Sequence, residues 1–349
     1  METVPSESTL KEHKHTYVQR AVSSYREKST LRVLLDRSDT QATARILSAS
    51  TTGAGAFLTA LPTRGDLQMS RSEMLAAVRW RLGLPMPVMC SLIGTTCACG
   101  TRLEDTDICG NHLINCKHAG GAGWGKRSRF VQLKTRDIAI DAGLTASLEQ
   151  VVGSERDRTD VTIHDWIQRD DEGAAETWQD GRIKKVEMHV DVAVVDATAA
   201  TYVKRSAKLR GSAARARGAR KIKKYKHQVA PARFTPGIVE THGLLDHGFV
   251  KLLNHTAECH IDLSQPGLDL SETMRNIIKS GLMSKYYKLI SVALQKGLAA
   301  NFEIARRRAA TAHARQLDAW QTRGLTLCRA QGIIGDHLRL EANTSQLVF

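Results

Sequence analysis

Residues 186–197 read VEMHVDVAVVDA, and the fold turns on this stretch. Its valines make it a β-branched run, the best strand signal in the sequence. Asp191 stands in the middle of it. A carboxylate there is costly to bury alone, so it needs a metal, a cation or an exposed strand face. Asp196 ends the run and suits a turn. Upstream, Asp160–Trp166 (DVTIHDW) and Ala146–Val152 read as two further strands. Before them Ser128–Ala142 has helical spacing of Phe130, Val131, Leu133, Ile138 and Ile140, closed by Gly143. Between the second and third strands, residues 167–182 are polar and acidic, with Gly173 and Gly181 marking a loop. Downstream, Tyr202–Val229 reads as one basic helix and Phe234–Thr241 as a fourth strand, followed by Gly243. The order is helix, three strands, helix, strand, which predicts an α+β domain with a mixed sheet flanked by helices.

The flanks are helical. Residues 1–9 read as flexible, and Leu10–Leu35 as a helix with Val18, Val22, Tyr25, Leu31 and Leu34 at helical spacing. Ser48–Gly55 reads as a loop, and Phe57–Leu61 as an apolar run that stops at Pro62. Ser70–Leu82 reads as a capped helix with Met74, Leu75, Val78 and Leu82 on one face, ended by Pro85 and Pro87. Residues 119–125, rich in glycine, read as a flexible joint. After residue 265, Leu270–Leu294 and Ala299–Trp320 read as two helices. The division is therefore 1–47 helical or flexible, 48–92 helical, 93–125 a Cys/His knuckle, 126–265 the sheet domain, and 266–349 a helical extension.

Composition excludes several classes. The chain has 349 residues, 42% hydrophobic and 25% charged, ordinary for a folded protein. The longest weakly polar run, Leu82–Gly94, carries two prolines and falls short of the ~20 residues a membrane span needs. The start, METVPSESTLKEHK, has no apolar core and reads as neither a secretory signal nor a transit peptide. Seven cysteines are an odd number for a disulfide framework, and five (Cys90, Cys97, Cys99, Cys109, Cys116) crowd together. That points to metal in a reducing compartment. The formal charge is +14. It concentrates in Lys204–Lys226, KRSAKLRGSAARARGARKIKKYK, which has no acid, and in Arg306, Arg307, Arg308 and Arg315. Such density repels itself unless a polyanion neutralises it, so nucleic acid is the expected partner. A solvated helix face or a nuclear import signal would look similar. The expected location is the nucleus, with the cytoplasm as the alternative, and the sequence names no protein partner.

Cys97-x-Cys99, twelve residues, then His112-x3-Cys116 is the two-pair spacing of tetrahedral Zn²⁺, with Gly100 and Gly110 for the turns. Cys109 and His118 are possible substitutes, and Cys90 a weaker one. With four protein ligands the site would be structural. A second constellation sits on the strands. Asp160 and Asp191 on neighbouring strands can share Mg²⁺, which prefers oxygen ligands, and Glu149 could add a third carboxylate. Lys221 and Lys224 share a helix face, with Tyr225 beside them, and could supply positive charge to a phosphodiester. Lys126, Arg127 and Arg129, together with Arg217, Arg220, Lys223, Lys224 and Tyr225, are the expected nucleic-acid contacts. Trp124, among the glycines, could stack on a base. Gly120-x4-Gly125-Lys126 approaches a phosphate-binding loop, but Arg127 follows where Ser or Thr is needed and no strand precedes it. His242, His247, His255, Cys259 and His260 are irregularly spaced and read as ordinary residues. Trp80 and Trp166 read as core.

Taken together, GAGAFLTALPT (53–63), MLAAVRWRLGLP (74–85), CACG (97–100), DICGNHLINC (107–116), RTDV (158–161), VDVAVVD (190–196), KIKKY (221–225) and FTPGIVETHG (234–243) resemble the C-terminal part of non-LTR retrotransposon proteins. These are the reverse-transcriptase-associated proteins with a restriction-like endonuclease of PD-(D/E)xK type. The resemblance implies an αβββαβ endonuclease core, Asp160 and Asp191 as Mg²⁺ ligands, Lys221 as the lysine moved from strand to helix, and Cys97, Cys99, His112 and Cys116 as zinc ligands. It implies DNA as the partner and phosphodiester hydrolysis as the activity; the alternative is a catalytically decayed nucleic-acid-binding protein or a structural component of a ribonucleoprotein complex. The chain departs from the family at Thr159, where a proline is expected, at Asn111 for Asp, and at Ala193 where the simplest motif has lysine. The KRSR segment (126–129) lacks the family's histidine. No Tyr-x-Asp-Asp signature occurs, so the chain reads as a detached tail: a domesticated protein, a gene fragment or a decayed copy.

Overall fold

A computed structural model describes residues 15–119, 121–152, 157–169, 175–177, 179–180, 182–264 and 270–330. The expectations for residues 1–9, Gly173 and Gly181 lie outside these. The chain forms two compact units, each assembled from separated stretches. One comprises the segment through Gly83 together with Ser128–Gly297. The other comprises Leu84–Arg127 together with the segment from Leu298 onward.

The first unit is α+β. Its N-terminal helices are α1 (His15–Asp36), α2 (Thr40–Ala49) and α3 (Arg71–Leu82). α3 starts as its sequence dictates: Ser70 accepts from the Glu73 N–H while Glu73 accepts from the Ser70 N–H, the reciprocal cap that satisfies two orphan donors. Gly83 ends it in the left-handed conformation. The loop expected over Ser48–Gly55 begins later, because α2 runs through Ala49.

The sheet has four strands in the order β1 (Ala146–Val151), β2 (Arg158–Ile167), β3 (Lys185–Val195) and β4 (Phe234–Glu240). β1–β2 and β2–β3 are antiparallel, and β3–β4 is parallel. The sheet is therefore mixed, as the element order predicted. A parallel partner requires a crossover. The chain makes it through α7 (Val203–Ser206) and α8 (Ser212–Tyr225). The single basic helix expected over Tyr202–Val229 is thus two, separated at Gly211, whose φ of 73° leaves the helical region. Ala193 and Val195 pack on Ala213 and Ala214 of α8. The other face meets α9 (His247–Ser264), where Trp166 stacks on His255 at 4.0 Å. Trp80 stacks on His242 at 4.9 Å. Both tryptophans are buried, as expected.

Two long helices pass from one unit to the other. The first, α6 (Gly121–Asp141), begins inside the stretch expected to be a flexible joint, so residues 121–125 are helical. Glu272–Ala330 is one helix where the sequence suggested two. The second unit also contains α4 (Pro87–Cys90) and α5 (Asn111–Asn115). Its core includes Met89, Leu92, Leu103, Leu113 and Ile114. Among the described residues no helix is long and apolar enough to cross a membrane.

Candidate functional site

The β2–β3 register pairs Val161 with Val190 and Thr162 with His189, so Asp160 comes opposite Asp191. The strand period puts Asp191 on the same face as Ala193 and Val195, which is the face covered by α8. Lys221, on that helix, places Nζ 2.6 Å from Asp191 Oδ2. Asp191 is 3% exposed. The three groups anticipated from the sequence therefore meet in one place. Asp160 Oδ2 accepts the Val192 N–H at 2.7 Å, which fixes its carboxyl against β3. Burial, followed by the hydrogen bond and charge of Asp191, pushes the Asp160 carboxyl up to about 7, against the opposing pull of Lys221 and the Val192 N–H.

Asp191 is buried and Asp160 half-buried, and the Lys221 ammonium pairs with Asp191. Asp191 Oδ2, although in charge contact with Lys221, has no hydrogen bond of good geometry. That buried oxygen lies beside a second carboxyl, Asp160.

Because folding raises the Asp160 value, the folded chain binds this proton more readily than the unfolded one. The associated stability is complete below the usual Asp range and is lost as pH rises towards 7. Asp160→Asn is therefore expected to stabilise the metal-free protein at pH 8. The ceiling is about 4 kcal/mol at ~1.4 kcal/mol per pH unit, and relaxation lowers it. We expect a Tm gain of about 3–8 °C at pH 8 and none at pH 4, measured by calorimetry in EDTA. A destabilised variant at pH 8 would contradict the assignment.

Glu149 does not join the pair. Its carboxylate binds Arg129 at 2.8 Å on the surface. Among the described residues, the one cluster of three or more metal-ligating side chains lies elsewhere. The Glu149 backbone is nevertheless notable: φ is 57°, the only positive value outside glycine among the described residues. The register 148↔161 and 150↔159 sets it across from Asp160. Left-handed backbone costs a non-glycine residue ~1–2 kcal/mol, and such strain gathers at functional sites. A polar row continues the surface: Ser147 Oγ meets His164 Nε2 at 2.8 Å, and His164 Nδ1 meets Glu187 Oε1 at 2.9 Å.

Several expected nucleic-acid contacts have other duties. Tyr225 is buried and its hydroxyl donates to the Arg158 carbonyl at 2.6 Å; it is core and has no face to stack on a base. Arg127 is buried beside Trp124. The Trp124 indole N–H donates to the Ile114 carbonyl at 2.9 Å, which ties it into its own unit. Lys224 pairs with Asp157 at 3.1 Å. Arg220 lies over the Tyr202 ring. Lys126, Arg220 and Lys223 are exposed, and Arg217 is half-buried.

In the second unit, Cys97, Cys99, His112 and Cys116 bring one ligand atom each to within 4.8 Å of one another. They could hold a metal ion such as zinc. The Cys97 and Cys116 sulfurs are 3.8 Å apart, and Cys99 Sγ is 3.3 Å from His112 Nε2. A tetrahedron of ~2.3 Å Zn–S bonds has edges near ~3.8 Å. The backbone builds this geometry. Gly100, at φ 87°, turns the chain between Cys97 and Thr101, and the Cys97 N–H donates to the Thr101 carbonyl. Asp107 accepts the Asn111 and His112 N–H groups, both at 2.8 Å, so it sets the helix that presents His112. Its role was not read from the sequence, although an Asp a few residues ahead of a short helix is the cue. Cys90, Cys109 and His118 stand outside the cluster. The dispersed set His242–His260 forms no metal group among the described residues. No family model matches the chain, and no curated protein matches it.

Proposed function

We propose that the chain is a Mg²⁺-dependent DNA endonuclease of PD-(D/E)xK type, related to the restriction-like nucleases of non-LTR retrotransposons, with a structural zinc knuckle. The observation that carries this reading is the meeting of Asp160, Asp191 and Lys221 on one face of a mixed sheet. Asp160 and Asp191 would hold the cation. When bound it supplies Lewis acidity toward a phosphodiester and eases ionisation of an attacking water. Lys221 brings an ammonium to the same point, where negative charge develops in the transition state. Ala193, where the simplest motif has lysine, packs against α8, and that helix returns the ammonium. The exposed bases Arg220 and Lys223 lie on α8 itself and would follow the phosphate backbone. A nuclear location agrees with such a substrate.

Supercoiled plasmid incubated with the purified chain and Mg²⁺ is expected to be nicked. Asp191→Ala should reduce the rate at least 100-fold while binding the plasmid as tightly as the parent. Equal nicking by both proteins, or none by either, would reject the hydrolytic reading; binding without cutting would leave a nucleic-acid-binding protein on the same scaffold.

A further inference from the structure

On the other side of the sheet lies a cavity of about 690 Å³, within the range of small-molecule sites (~300–1,000 Å³). The bulge in β2 between Ile163 and Trp166 brings Trp166 into register with Val186. Val186 and Met188 are even-numbered neighbours of Asp191 and so face away from the acid pair. With Leu252 and Trp166 they make a flat apolar wall.

Two of the lining polar groups, His255 and Gln168, keep an acceptor. His255 Nε2–H donates to the Ile167 carbonyl at 2.7 Å, and burial holds its ring down to about 4, so the neutral ring offers the Nδ1 lone pair. Gln168 gives its amide N–H to Glu176 at 3.1 Å, leaving its carbonyl oxygen. Acceptors of this kind recognise an amine.

The charge around the cavity is positive. Its single lining acid, Glu258, is engaged by Lys279 and Arg169. Arg169 is also paired with Asp262, and Lys184 with Glu176 at 2.9 Å. Arg233 and Lys251 line the cavity, are exposed, and have no carboxylate partner among the described residues. Two cations beside an apolar wall fit an anion that carries a ring.

We propose that this cavity is a nucleotide site, taking a base with an exocyclic amine against the wall and a phosphate monoester between Arg233 and Lys251. The same chemistry could come from a free mononucleotide or from the phosphorylated end of a strand. The site is separate from the acid pair, so Asp191→Ala should bind the nucleotide as the parent does, whatever becomes of the nuclease reading.

Calorimetric titration of the full chain with AMP tests it. The double variant Arg233→Glu/Lys251→Glu, changed at two exposed positions, should keep the parental Tm and lose at least tenfold in affinity. Inosine monophosphate, which lacks the amine, and adenosine, which lacks the phosphate, should each bind at least fivefold more weakly. A 5′-phosphorylated oligoadenylate competing as well as AMP identifies a strand end; failure of the oligomer with success of AMP identifies a free nucleotide. Parental affinity in the double variant, inorganic phosphate displacing AMP at equal concentration, or no binding of either probe would overturn the site.

Discussion

Cys97→Ser/Cys99→Ser is expected to empty the Cys/His cluster and to unfold the segment that surrounds it. The parent should carry one zinc per chain by elemental analysis, and the double variant less than a tenth of that. Structural zinc in small modules contributes an apparent ~10–16 kcal/mol at neutral pH. The core it must compensate for is small: between the first and last ligands the buried large apolar side chains are Leu103, Leu113 and Ile114, and the connecting backbone is a single bridge between Thr96 and Arg102, a turn at Asp105–Asp107 and the five-residue helix Asn111–Asn115. Elements this short do not hold themselves against chain entropy. Limited proteolysis should therefore cut the variant within 97–116, where the parent resists, and EDTA should convert the parent to the same pattern. Cys109→Ser is the control. That thiol stands outside the ligand set, so metal content and protease resistance should be unchanged. Undiminished zinc in Cys97→Ser/Cys99→Ser, or zinc lost from Cys109→Ser, would refute the ligand assignment.

This cluster was legible because its evidence is local. Two short-spaced pairs with a glycine beside each define a tetrahedron with little help from the rest of the chain. The strands were legible for a similar reason: the β-branched run in VDVAVVD marks the element, although not which side Asp191 takes. Distances across the fold were harder. Lys221 belongs with Asp191 only because the crossover returns α8 over the odd-numbered face of β3, and no local pattern gives that. Tyr225 shares the Lys221 face, as its spacing indicates, but that face looks inward at this point, so the ring is core. Arg127 misled for the same reason. Density of positive charge predicts a surface, whereas one side of a helix can be buried wherever it falls. The break at Gly211 and the unbroken helix through Gly297 show two outcomes for one residue type. Gly211 takes a left-handed φ that ends a helix, while Gly297 lies within a helix that continues to Ala330. A glycine permits a turn but does not impose one. The reversed backbone at Glu149 had no signal at all, since glutamate is not a residue that favours it.

Lys221→Met separates the counter-charge that this ammonium supplies to Asp191 from the catalytic role proposed for it. In the parent, Lys221 Nζ stands 2.6 Å from the buried Asp191 oxygen and is itself mostly covered, at 17% exposure. Removing one partner of a buried pair costs about 3–5 kcal/mol, because the remaining charge is left uncompensated. Here two carboxyls are left. At pH 8 in EDTA the Tm should fall by about 6–15 °C. Lys221 is one of the groups that hold the Asp160 value down, so its loss makes protonation of the pair easier still. At pH 5 the pair takes up a proton and the penalty should shrink to less than half. Asp191→Asn placed in the same chain removes the charge that was stranded, and the double variant should recover most of the stability, giving a coupling of at least ~2 kcal/mol between the two positions. Activity should behave differently. Plasmid nicking should fall at least 100-fold in Lys221→Met and should not return in the double variant, whereas Mg²⁺ should bind Lys221→Met more tightly than the parent, since the competing cation is gone. A Lys221→Met protein with parental Tm at pH 8 would mean that the ammonium is not the counter-charge of the acid pair. One that nicks at the parental rate would mean that it has no part in the chemistry.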